Sequence, residues 1–132
     1  MKRDMDLVRE ILLRLEEMPM ELGDALVVTP ADLAKVISEY DITQINYHME
    51  LVHAAGFIND GGSSGPAFGF IFCGLSWDGH EFLDSIRDPA IWKATKEEAT
   101  KVGGFSVDLL GALAKGLIKK QIEKHTGISL EF

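Results

Sequence analysis

The chain has 132 residues, 46% of them hydrophobic and 26% charged, with a formal net charge of −8. This length and composition suit one folded domain with its own core and exclude a disordered chain. No apolar run approaches the roughly 20 residues that cross a bilayer, and the excess of acid opposes polyanion binding unless positive charge is gathered on one face.

The opening MKRDMDLVRE places acids and bases where a signal peptide needs an unbroken apolar segment. The single cysteine, Cys73, cannot form an internal disulfide. Both features imply a cytoplasmic protein. Cys73 lies in the apolar run FGFIFC, where a buried, inert thiol is expected.

In chain order, Asp4 or Asp6 can cap a first helix running to about Glu17, with Met5, Val8, Ile11, Leu12 and Leu15 at helical spacing. Pro19 ends it. Met20 to Val28 is ambiguous, although Ala25 to Val28 could form a short strand. Thr29-Pro30 reads as an N-cap followed by proline at the first helical position. That helix should reach about Tyr40 with Leu33, Val36 and Ile37 inward. A third helix starts within Asp41 to Thr43, so two short helices meet across a tight turn, the helix-turn-helix signature. Its apolar stripe is Ile45, Met49 and Val52, widened by Leu51 and Ala55, and Gly56 stops it.

Phe57-Ile58 reads as a first wing strand, NDGGSSGPAFG (59–69) as a hairpin tip, and Phe70 to Cys73 as the returning strand. Strand alternation would put Phe68, Phe70 and Phe72 on one face. Ser76 then caps a helix to about Ile86 with Phe82, Leu83 and Ile86 inward. Pro89 starts a helix reaching about Val102, broken by Gly103-Gly104. A last helix, Ser106 to about His125, carries Val107, Leu110, Leu113, Ala114, Leu117, Ile118 and Ile122 on a broad apolar face.

Two segments resemble small bacterial winged-helix regulators. His48 to Ile58, HMELVHAAGFI, is similar to the end of their recognition helix, and Leu75 to Leu83, LSWDGHEFL, to the passage from their wing into the next helix. MKRDMDLVREILL, the pair Tyr47-His48 and GLSWDGHEFLDSIRDPAIW resemble, more closely, the bacterial and prophage domain-of-unknown-function family 2513. The similarity spans nearly the whole chain. It implies the fold and a bacterial or phage origin, and it brings no functional residues with it.

A winged helix suggests DNA binding with the third helix in the major groove, but fold alone is an analogy. Charge is the physical test, because lysine and arginine neutralise phosphate. Between Lys35 and Arg87 there is neither, while Glu39, Asp41, Glu50, Asp60, Asp78, Glu81 and Asp84 make seven acids. Thr43, Gln44, Asn46, Tyr47 and Glu50 offer groups suited to base edges without a cation beside them. The usual DNA-reading face is therefore disfavoured. The positive clusters lie in the first and last helices, among them Arg9, Arg14, Lys115 and Lys119, and read first as solvated helix faces.

No enzyme is apparent. Asp78, His80, Glu81 and Asp84 are close in sequence, but the His80/Asp84 spacing supplies two ligands where a zinc site usually needs three or four. The glycine-rich tip lacks the Gly-Lys-Ser/Thr ending of a phosphate loop. No catalytic residue, metal or cofactor is assigned. The reading is one α+β domain: a winged helix-turn-helix core over about residues 5–87 with a helical extension over about 89–125. It is expected to act by protein contact through Thr43, Gln44, Asn46, Tyr47, Glu50 and Phe68, with a possible homodimer through the last helix. The alternative is a DNA-binding regulator using the basic terminal helices.

Overall fold

The computed structural model describes residues 1–129. It is α+β: helices α1 (Met5–Glu16), α2 (Pro30–Ala34), α3 (Ile42–Ala54), α4 (Trp77–Ile86), α5 (Pro89–Val102) and α6 (Val107–Thr126), with strands β1 (Leu26–Val28) and β2 (Phe70–Phe72). Two compact units, Met1–Glu81 and Phe82–Phe132, divide inside α4.

In the first unit, the Asp4 carboxylate caps α1 by accepting from the Asp6 and Leu7 N–H groups. The helix buries Leu7, Val8, Ile11, Leu12 and Leu15, and each such side chain contributes about 1.5–3 kcal/mol. It packs on α3, as does α2. From α3 come Ile45, Met49 and Val52, the stripe expected from spacing, together with His48.

The α2 helix is shorter than its sequence suggests. Thr29 and Asp32 form a capping box, but the helix ends at Ala34 rather than near Tyr40. The N–H groups of Val36 and Ile37 both bond back to the Leu33 carbonyl. This tightening turns Val36 outward, contrary to expectation, while Ile37 stays buried.

The strands also differ from a simple hairpin. β2 pairs antiparallel with β1, Leu26 opposite Phe72 and Val28 opposite Phe70. Phe57-Ile58 forms no strand; Ile58 makes one bridge to Leu75, beyond the end of β2. Phe70 and Phe72 are buried, whereas Phe68 is 65% exposed. Gly69, at φ +98°, breaks the extended run between them, so the alternation stops there. A Cβ at Gly69 would collide with the Val28 carbonyl, so this loop lies directly on the end of β1.

The segments 48–58 and 75–83 meet in space. The Ser76 hydroxyl donates to the Gly56 carbonyl, and the Ser76 N–H to the Phe57 carbonyl at 3.0 Å. Ser76 Oγ in turn caps α4 by accepting from the Gly79 N–H at 3.0 Å. Gly79 sits so close to Phe57 that a Cβ would strike its carbonyl oxygen. The glycine in LSWDGHEFL is thus a steric requirement of this junction.

In the second unit, α5 packs against α6. Asp88 caps α5, and Gly103 ends it in the left-handed conformation. Ile91, Trp92, Thr95 and Ala99 are buried. On α6 only Leu110 and Ala114 are buried; Val107, Leu113, Leu117 and Ile118 are half-buried and Ile122 is exposed. Among the described residues, the broad apolar face expected of α6 is therefore only partly covered.

Candidate functional site

The two faces of α3 are built differently. On the inner face, His48 is buried and both ring nitrogens are engaged. Nε2 accepts from the Asp4 backbone N–H at 2.8 Å, and Nδ1 lies 2.8 Å from the Gln44 carbonyl oxygen. A donor on one side and an acceptor on the other require the neutral tautomer with its proton on Nδ1. Asp4 also accepts from the Tyr40 hydroxyl at 3.1 Å. Burial and this carboxylate beside it push the Tyr40 phenol up to about 12. The N-terminus of α1 is thereby tied to α3 by a fully partnered polar cluster.

The outer face of α3 forms the floor of an open groove of about 580 Å³. Ile42, Thr43 and Asn46 line it from α3. Thr29, Pro30 and Ala31 line it from the start of α2, and Pro66, Ala67 and Phe68 from the glycine-rich loop. The Gly69 contact with the end of β1 holds that loop beside Thr29. Ile42, at 52% exposure, and Phe68 present apolar surface to it. Among the described residues, Asn46 Oδ1 is the one buried side-chain oxygen or nitrogen with no hydrogen-bond partner. Such an atom costs about 1–3 kcal/mol, and unpaired groups of this kind call for a reason.

Of the residues singled out in the sequence, Thr43, Asn46 and Phe68 come together in the groove. Gln44 is occupied elsewhere: its side-chain oxygen accepts from the Asp41 N–H at 3.0 Å while the Asp41 carboxylate accepts from its N–H at 2.8 Å. Tyr47 is half-buried, edge-on to His48 with ring centroids 5.5 Å apart. Glu50 is exposed, one helical turn beyond Asn46. The groove walls at Pro30, Ile42 and Pro66 were not singled out from the sequence. The one available signal was the short run Pro66-Ala67-Phe68 inside an otherwise polar, glycine-rich tip.

The basic residues are less available than their number suggests. Arg14 pairs with Glu10 at 2.9 Å and Glu17 at 3.4 Å. Arg9 and Lys119 also have partners, while Lys115 is exposed. Cys73 is half-buried rather than buried, and its sulfur lies against Gly61, where a Cβ would come to 3.0 Å from it. Near it, His53 Nε2 bonds Asp60 at 2.9 Å, and this hydrogen bond holds the Asp60 carboxyl below its ordinary value. His80 lies 4.0 Å from Glu16, and Asp84 pairs with Arg87 at 2.7 Å. Among the described residues no three His, Cys, Asp or Glu side chains are grouped to hold a metal ion, and no helix is long and apolar enough to cross a membrane.

A family model described as "Hypothetical protein (DUF2513)" matches residues 2–106, ending where α6 begins. A protein of Haemophilus influenzae (strain ATCC 51907 / DSM 11121 / KW20 / Rd), named "Uncharacterized protein", is 32% identical over 124 residues, covering 92% of this chain and 99% of that relative. No solved structure matches. The family match takes in both segments that dock at the Ser76–Gly56 contact, and the chain belongs to the DUF2513 family.

Proposed function

We propose that this chain is a non-enzymatic regulatory or adaptor module, a winged helix turned to protein contact through the groove on the outer face of α3. The winged-helix reading is supported by the order α1, β1, α2, α3, then Ile58 bridging the continuation of β2, with β2 paired to β1. In that fold, the third helix and the loop before the last strand are the parts that meet a partner. Here they enclose apolar surface.

The observation that carries the proposal is the chemistry of the groove. Its nine lining residues include no charged side chain, and the whole span from Lys35 to Arg87 supplies acids without a lysine or arginine between them. DNA affinity comes largely from phosphate neutralisation, whereas exposed apolar surface with a few polar groups is the character of protein-binding patches. Self-association through α6 belongs to the same reading, supported by the half-buried Leu113, Leu117 and Ile118 and the exposed Ile122.

A photo-crosslinking amino acid placed at Phe68 in living bacteria tests this, with Lys93 as the control position. Protease-sensitive adducts at Phe68 alone are expected. Nuclease-sensitive adducts at Phe68 would instead support DNA recognition, and equal labelling at both positions would remove the groove as a contact site.

A further inference from the structure

Resting on the protein-contact reading, the groove also indicates what kind of partner fits it. We infer that it takes an extended peptide segment of a partner protein in which apolar side chains adjoin lysine or arginine.

Three observations converge. First, the walls are apolar, with Ile42, Pro66 and Phe68 offering surface to aliphatic or aromatic side chains. The volume of about 580 Å³ lies within the roughly 300–1,000 Å³ of ordinary ligand sites, and the groove is open enough for a chain to enter and leave. Second, Asn46 brings a primary amide to the floor, with its oxygen lacking a donor. An amide presents an acceptor and donors side by side, the complement of a peptide unit's N–H and C=O. A turn of this side chain toward the groove would let the oxygen accept from a bound backbone N–H.

Third, the charged residues next to the lining residues along α2 and α3 are mostly acids. Asp32 follows Ala31 on α2, Asp41 precedes Ile42 on α3, and Glu50 lies one turn beyond Asn46; all three are exposed. Lys35, at the end of α2, is the opposing cation. The N-terminal ends of α2 and α3 frame the groove, but the Asp41 carboxylate already caps α3, and the Asp32 carboxylate already accepts from the Thr29 N–H in the first turn of α2. An anionic ligand therefore meets carboxylates at both helix starts, and a cationic flank is the complementary one.

A library of random 12-residue peptides displayed on phage, selected on the full chain, tests the inference. Enriched peptides should carry an apolar pair next to lysine or arginine. As synthetic labelled peptides, they should lose at least tenfold in affinity with Phe68→Ser and with Asn46→Leu. The pair Asp41→Asn and Glu50→Gln, which keeps a capping side chain at 41, should weaken binding about threefold and flatten its salt dependence. Circular dichroism would check that each variant is folded. Acidic or uncharged peptides that still depend on Phe68 would overturn the stated chemistry and leave the protein-contact reading standing. Selection of no Phe68-dependent peptide would overturn both.

Discussion

One helix, α3, carries two polar arrangements that obey opposite rules. On its inner face, His48, Asp4 and Tyr40 are each partnered, and the cluster fixes the N-terminus of α1. On its outer face, Asn46 Oδ1 has no partner, and Phe68 and Ile42 remain in contact with solvent. The inner arrangement lowers the free energy of the folded chain. The outer one raises it, which is what a surface kept for another molecule does.

The largest effect should come from the inner face. His48→Ala leaves the Asp4 N–H without its partner, removes the side-chain bond to the Gln44 carbonyl and opens a cavity, so urea unfolding should show a loss of about 3 kcal/mol. Gly79→Ala should cost about 2 kcal/mol by forcing α4 away from the Phe57 carbonyl, within the range of overpacking. If that variant unfolds with the wild-type midpoint, the Ser76–Gly56 junction is more yielding than described.

Tyr40→Phe should cost about 1 kcal/mol at neutral pH, the worth of its bond to Asp4. Its pH dependence is more diagnostic. The folded phenol titrates near 12 against an ordinary value of 10.0, so its contribution is complete below pH 10. It falls as pH rises from 10 through about 12, where the unfolded chain ionises first. Thermal melts across that window should show the decline in the wild type and a shallower one in Tyr40→Phe. Smallest of all should be Phe68→Ser, whose melting should differ by less than about 0.5 kcal/mol, as is usual at exposed positions. A larger loss would mean that Phe68 belongs to the fold.

The inner half of this comparison was largely legible in the sequence. Ile45, Met49 and Val52 declare a buried stripe by spacing alone, and His48 lies on that same stripe, although its bond to Asp4 spans 44 positions and no local pattern reports it. The Thr29-Pro30 start was readable from capping chemistry, but the early end of α2 was not, because it depends on Val36 and Ile37 sharing the Leu33 carbonyl. The groove was half visible: Thr43 and Asn46 stood out as polar groups of the third helix and Phe68 as an aromatic of the wing, yet their meeting depends on Gly69 packing against Val28. Strand alternation pointed Phe68 the wrong way because it takes no account of a left-handed glycine. The match between β2 and β1, rather than Phe57-Ile58, likewise joins segments more than forty residues apart.

The most direct test of the claim is the urea-unfolding midpoint of Asn46→Leu, which keeps the shape of the side chain and removes its amide. If the outer face is held for a partner rather than for the fold, the midpoint should stay at or rise above that of the wild type. A loss of 2 kcal/mol or more, comparable to the expected His48 effect, would show the amide to be structural and contradict the account.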